Sequence, residues 1–435
     1  MTTQHLPFPS WRCAHWAHEA IDAAKDVQEL EIWLHDTAEL SCSIEPATGA
    51  LTTVRGGATG FACRVWVDDR CGWMARTVAD VDDLTRLVLQ ARQAATRHGV
   101  PLAIPAYAAS TTRPQLPLAD GLSGPQIIDA ARSAARQLTA AGAAVQAVIA
   151  NRYQTIAGPI TLSGCDAAEY YEDERLMVRC ETAVGAVSDA LSRMTHEGTL
   201  DTAPLLSRLI DALDTVAAPG QSPPTDLPVV LRPHVAAPVG AALAWLLSGN
   251  TALQHDSITR MLDRQVFPTC LQVTDPGTAE GESMRSIDDE GCAVEPLTLI
   301  DKGRPVTLLH SNETARALGH TPNGRGFRFG LPTQPAGVPV RLTVAPGQGR
   351  FPADFLELSC LVDNLSTMPM AGRLELIVAG WVVRDGQRRH RVAPFELNAG
   401  VLDLLRLLIA TGDDPQRLPA AAESTLPSLA LRRLP

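Results

Sequence analysis

Ala218-Pro219-Gly220-Gln221-Ser222-Pro223-Pro224 closes one run of helical and strand-like segments, and Leu227-Pro228-Val229-Val230-Leu231-Arg232-Pro233-His234 opens another. Proline and glycine at that density break helices and are excluded from central strands, so the first stretch reads as a linker. It divides the 435 residues into 1–220 and 225–435, two domains of ordinary size.

Upstream, a helix is expected from His15 to Lys25, where Trp16, Ala20 and Ala23 recur at helical spacing. Short alternating runs follow at 30–36, 39–45, 52–55, 60–68 and 71–77, as in an antiparallel meander. Phe61, Cys63, Val65 and Val67 would share one face, and Asp68-Asp69-Arg70-Cys71-Gly72 reads as the turn to the next strand. Val78 to His98 is strongly amphipathic, with Asp82 and Asp83 in its first turn and Gly99 past its end. A proline-rich linker (Pro101, Pro105, Pro114, Pro117), a helix from Gly124 to Ala143, strands at 145–150, 153–157 and 169–180, and a helix from Leu205 to Ala217 complete this half.

Downstream, strand Leu227–Leu231 leads into an Ala/Leu-rich helix and then many short β-like runs. Leu374 to Val383 and His390 to Phe395 flank Arg384-Asp385-Gly386-Gln387, a hairpin signal, and Val401 to Ala410 reads as a last helix. The fold class is α+β: an N-terminal α/β domain with an antiparallel sheet and packed helices, then a β-rich C-terminal domain.

Nine cysteines are scattered singly with no CxxC pair, which favours free or buried thiols over a disulfide framework. The formal net charge is −11 with arginines dispersed, so the basic footprint of a nucleic-acid binder is missing. No apolar stretch is long enough to span a membrane, and the N-terminus lacks a secretory pattern, so a cytoplasmic location is the expectation.

Few constellations carry chemistry. Cys13, His15, His18 and Glu19 mix metal-ligand types, but the spacing suits a half-exposed helix better than a zinc site. Gly56-Gly57-Ala58-Thr59-Gly60 precedes a strand instead of opening a helix, so it reads as a turn and not a phosphate loop. Neither a GxSxG elbow nor a P-loop is present. Ser286-Ile287-Asp288-Asp289-Glu290-Gly291 sets three carboxylates before a glycine, which could bind a cation, orient a substrate amine or form a solvated turn. Ala315 to Gly319 reads as a helix end, and Thr321-Pro322-Asn323-Gly324-Arg325 as a tight turn presenting Arg325 to a peptide, to a carboxylate or to water.

The order and spacing of these pieces resemble the TldD/TldE family, also called the PmbA or modulator-of-gyrase family. Ile287 to Gly291, Leu299 to Gly303, Ala315 to Gly319 and Pro322 to Arg325 carry the likeness, with Gly60 to Val65, Gly72 to Ala75 and Leu227 to Leu231. It covers roughly residues 35–415 and implies a barrel-like C-terminal domain. The family includes zinc peptidases. Their catalytic type carries His-Glu-x-x-x-His on the helix after the strand that opens the C-terminal domain, with a third, Cys ligand near the C-terminus. Zinc requires such ligands with one position left for water, and the Glu serves as base.

An ungapped reading puts Pro233 and Pro238 at the two histidine positions and His234 at the base position; no cysteine follows Cys360. Proline has no donor atom, and two prolines five apart are expected to prevent a continuous helix. The resemblance therefore implies the TldE (PmbA) type: a non-catalytic subunit without metal, paired with a zinc-bearing TldD-like partner in a complex that trims unfolded or ribosomally made precursor peptides. Natural-product maturation is one such setting. Asp289, Glu290, Asn323 and Arg325 are the candidates for the substrate cleft. Two alternatives stand beside this reading. One is a metal-independent enzyme using Asp289, Glu290 or His234 as acid/base groups in the same cleft. The other is a stand-alone peptide-binding homo-oligomer.

Overall fold

Strand alternation in the first half extends further than the short runs indicate. The protein is described by a computed structural model covering residues 12–24, 26–45, 48–105, 107, 124–194, 201–277, 286–365, 372–418 and 424–434. Pro114 and Pro117 of the expected linker lie outside these residues. Helix α1 (Arg12–Ala23) precedes β1 (Glu29–Ile44), β2 (Leu51–Val67) and β3 (Arg70–Thr77). Helix α2 (Val81–His98), β4 (Val100–Pro101) and α3 (Gly124–Ala140) follow. Then come β5 (Ala144–Thr161), β6 (Glu169–Thr182), β7 (Gly185–Met194) and α4 (Ala203–Val216). The seven strands form one antiparallel sheet in the order β4-β3-β2-β1-β5-β6-β7.

Segments expected as 30–36 and 39–45 are thus one strand, as are 52–55 with 60–68 and 145–150 with 153–157. Gly56 to Gly60 lies within β2 and is not a turn. Glycine serves close approach there: a Cβ on Gly57 would sit 2.9 Å from the carbonyl oxygen of Thr37. The turn expected over 68–72 is only Asp68-Asp69, both at positive φ, as a two-residue hairpin of the primed type requires; Arg70, Cys71 and Gly72 already belong to β3. Even-numbered residues of β1, from Leu30 to Ile44, face the helices. Glu31 and Trp33 face the other way, toward the second half of the chain.

That half begins with β8 (Val229–Leu231), fully buried, and α5 (Pro233–Leu246). Short elements follow: α6 (Gly249–Gln254), α7 (Asp256–Thr259), β9 (Val273–Asp275), β10 (Leu297–Asp301), β11 (Arg304–Pro305) and α8 (Asn312–Leu318). Next are β12 (Gly326–Phe327), β13 (Ala336–Gly337), β14 (Leu342–Val344), β15 (Phe355–Asn364), β16 (Arg373–Arg384) and β17 (Gln387–Gly400). The chain closes with α9 (Val401–Arg406), β18 (Leu408–Thr411), β19 (Gln416–Leu418), β20 (Ser424–Leu426) and β21 (Leu429–Leu431).

Two six-stranded sheets result, β11-β10-β9-β14-β20-β19 and β17-β16-β15-β8-β21-β18. Both are open; no barrel closes among the described residues. The chain is α+β with large antiparallel sheets, and one core cluster gathers side chains from α5, β8 and both six-stranded sheets. The β16–β17 hairpin turns on Asp385-Gly386, both at positive φ. The expected last helix stops at Arg406, because Leu408 to Thr411 pairs with β21 instead. The proline-rich stretch at 218–224 is tied to β17 by Gln221, which exchanges backbone hydrogen bonds with Arg391 and Ala393 at 2.9 Å.

Candidate functional site

Helix α5 runs without interruption across both prolines, against expectation. Pro233 takes the first helical position, where the missing N–H has no intrahelical partner to lose. Pro238 lies inside and removes only the bond its N–H would make to the His234 carbonyl. The stripe of Val235, Val239, Ala242, Leu243 and Leu246 packs into the core and holds the helix.

The opposite stripe, His234, Ala237, Pro238 and Ala241, faces a half-open cavity of about 330 Å³ bordered by α4, β6, β7 and β15. His234 Nε2 lies 2.8 Å from the Ser359 carbonyl oxygen, which can only accept, so Nε2 carries the proton. Burial, the largest cause, lowers the His234 pKa and keeps the ring neutral. Across the cavity, Arg208 Nε donates to Asp189 Oδ2 at 2.6 Å and Nη2 donates to the Ala190 carbonyl at 3.2 Å.

The donor set here does not fit zinc. His234 is the only side chain on α5 able to ligate a metal, whichever register is assumed for the motif. Cys360, the last cysteine, is buried in the core, and burial pushes its thiol up to about 12. No group of three or more His, Cys, Asp or Glu side chains is placed to hold a metal among the described residues. All nine cysteines are free.

The acidic turn is buried, not solvated. Asp288 organises its own loop: Oδ1 accepts from the backbone N–H groups of Glu290 at 2.9 Å and Cys292 at 2.8 Å, and Oδ2 from Gly326 at 2.8 Å. Burial first, and Glu290 second, raise the Asp288 pKa above the usual carboxylate range. Asp289 accepts from Trp33 Nε1 at 2.8 Å and from the Arg328 backbone N–H at 2.7 Å. Glu290 accepts from Arg64 Nη1 at 3.3 Å and from the Asn312 backbone N–H at 2.6 Å. A Cβ on Gly326 would lie 2.3 Å from Glu290 Oε2, so a side chain there would displace the Glu290 carboxylate.

These bonds join the acidic turn to the N-terminal sheet. Glu31 is the hub: its carboxylate takes a forked pair from Arg64, a bond from Tyr107 Oη at 2.8 Å, and one from Arg328 Nη2 at 3.3 Å. Arg328 also stacks over the Trp33 ring at 5.2 Å. Sequence reading did not single out Glu31, Arg64, Tyr107 or Arg328. The available signal was alternation: with Phe61, Cys63 and Val65 facing the helices, Arg64 must face away, directly opposite Glu31 in the strand register.

The Asn323-Gly324-Arg325 turn is interior as well. Asn323 accepts from the His310 N–H at 3.0 Å and donates to the Leu308 carbonyl at 2.8 Å. Arg325 is fully buried against Asp275 at 2.7 Å. Of the four cleft candidates, Asp289, Glu290 and Arg325 have about 1% exposure or less and Asn323 is half-buried, and all four are hydrogen-bonded within the chain.

His310 is buried beside them, with Nε2 2.8 Å from His320 Nδ1 and Nδ1 3.2 Å from Thr314 Oγ1. Burial, then His320, pushes its pKa down to about 4. A histidine neutral in the folded chain but protonated when unfolded contributes stability that is complete above about 6.5 and lost toward about pH 4. The loss is at most about 1.4 kcal/mol per pH unit. Thermal melts at pH 7.5 and 5 should show His310→Gln to be the less acid-sensitive protein; an unchanged pH dependence would contradict this.

The whole-chain fold is that of three solved proteins. It superposes on TldE from Thermococcus kodakarensis with a TM-score of 0.80, at 14% identity over 96% of this chain and 99% of the other. A Thermotoga maritima protein described as a modulator of DNA gyrase gives 0.77, at 19% identity over 97% and 99%. A counterpart from Bacteroides thetaiotaomicron gives 0.75, at 17% identity over 97% of each. A metalloprotease of Synechocystis is 30% identical over 161 residues, which span 35% of this chain and only about a third, 34%, of that relative.

Fold and sequence together define an α+β protein whose C-terminal half is of a metallopeptidase-family type. Residues 224–434 match the PmbA/TldA metallopeptidase C-terminal domain, and the chain belongs to the TldD/TldE (PmbA) family.

Proposed function

We propose that this chain is a TldE-type, non-catalytic subunit that pairs with a zinc-bearing TldD-like protein in a peptidase acting on unfolded or ribosomally made precursor peptides. One observation carries the reading: α5 follows the opening strand β8 and faces a cavity, yet offers a single metal-ligating side chain, His234, already bonded to Ser359. A zinc peptidase needs three protein ligands and a base around an open position. Residues 1–220 and 225–435 are the two domains in this reading, and peptide maturation in natural-product pathways is one setting for it. No helix among the described residues is long and apolar enough to cross a membrane; a cytoplasmic location belongs to the proposal.

Assembly gives a direct test. Co-expressed with a TldD-like protein carrying His-Glu-x-x-x-His, the chain should co-purify at the summed mass of the two subunits. A chain that stays monomeric or forms only a homodimer in its presence would overturn the reading.

A further inference from the structure

The cavity beside α5 is more than a gap left by small side chains. Its volume of about 330 Å³ falls at the lower end of the range of small-ligand pockets, roughly 300–1,000 Å³. Met177, Leu209, Ala241 and Leu361 make apolar walls. Five polar residues lie among them: Ser188, Asp189, Arg208, His234 and Asn364. His234 carries its proton on Nε2, bound to Ser359, so Nδ1 is an acceptor, and it has no partner among the described residues. Arg208 spends Nε and Nη2 on Asp189 and Ala190, while Nη1 makes no hydrogen bond among the described residues.

The electrostatics narrow the ligand class. Arg208 is already neutralised by Asp189 at 2.6 Å, and His234 is uncharged, so an ion entering the half-open cavity would lose part of its hydration without a free counter-charge. A neutral group with one donor and one acceptor loses nothing of that kind. A peptide unit has that pair: its N–H suits His234 Nδ1 and its C=O suits Arg208 Nη1. The apolar walls suit an aliphatic side chain.

We infer that the cavity is a subsite for one aliphatic residue of an extended peptide, its walls taking the side chain while His234 and Arg208 hydrogen-bond the neighbouring peptide unit. This rests on the peptide-handling reading above and deepens it by naming what the non-catalytic chain would select.

Fluorescence anisotropy with the full chain tests it, using a labelled, unstructured Gly/Ser dodecapeptide with a single central Leu and twins with Asp or Gly there. The Leu peptide should bind at least tenfold tighter than the Asp peptide. Ala241→Phe, which fills the cavity, should erase that preference. His234→Gln, which keeps a donor for Ser359 but loses the Nδ1 acceptor, should weaken the Leu peptide several-fold at an unchanged melting temperature. Absent binding, equal binding of the Leu and Asp peptides, or an undiminished preference in a folded Ala241→Phe chain would overturn the subsite. Assembly with the zinc-bearing subunit is read separately by mass: a complex that forms while the Leu preference is missing sinks the subsite alone. Failure to assemble sinks the parent reading, whatever the peptide does.

Discussion

Replacing Arg64 with leucine is expected to destabilise the protein by about 3–5 kcal/mol, the loss typical when one partner of a buried ion pair is removed. The guanidinium lies between Glu31 and Glu290, whose side chains are 0% and 2% exposed. Without it, two carboxylates would face each other out of water with one remaining cation, Arg328, reaching Glu31. Domains are stable by only about 5–15 kcal/mol, so the variant should unfold at markedly lower temperature or denaturant concentration. Arg64→Lys should fall between, because an ammonium cannot reproduce the forked pair with Glu31. Because Trp33, Arg64 and Arg328 tie the N-terminal sheet to the acidic turn, the halves should lose stability together. Denaturant unfolding followed by circular dichroism measures this; a variant as stable as the parent would show that the network braces nothing.

Arg325→Met is expected to cost a similar amount, about 3–5 kcal/mol, without weakening peptide binding by the folded chain. All five guanidinium N–H groups are accounted for: Nε binds Asp275 Oδ2, Nη1 the carbonyls of Asn323 and Gly324, and Nη2 the carbonyls of Asp275 and Glu295. None is left for a substrate. Asp275 in turn also accepts from the backbone N–H groups of Gly277 and Val340, so losing the arginine strands a buried carboxylate at the centre of three loops. Melting temperature and peptide affinity separate the roles. A bracing residue lowers the first and spares the second, whereas a cleft residue does the reverse.

Local rules were legible where one residue type decides the backbone. Asp68-Asp69, Asp385-Gly386 and Gly319 at the end of α8 are turn and cap positions at positive φ, and each falls where the sequence puts it. The amphipathic α2 begins three residues later than expected because Asp80 caps it, accepting from the Asp83 N–H at 2.9 Å. What failed to show were features decided at a distance. Gly56-Gly57 has turn composition, yet both lie within β2, where Gly57 lets the strand approach Thr37. Leu408 to Thr411 continues a helical stripe but pairs with β21.

The candidate site divided in the same way. The poverty of donors on α5 was readable from Pro233, His234 and Pro238, though the helix itself survives both prolines. The burial of Asp289, Glu290 and Arg325 was not readable, because Trp33, Arg64 and Asp275 reach them from positions 50 to more than 250 residues away. A cluster of charges looks the same in a sequence whether water or a distant strand surrounds it.

The central claim is that the chemistry of any peptidase containing this chain is supplied by another subunit. Hydrolysis of an unstructured fluorogenic peptide tests it most directly, comparing the purified chain with added zinc, its complex with a TldD-like subunit, and that complex after chelation. The account predicts no cleavage above buffer by the chain alone, and cleavage by the complex that chelation abolishes. Cleavage by the chain alone, whether or not a chelator stops it, would contradict the account.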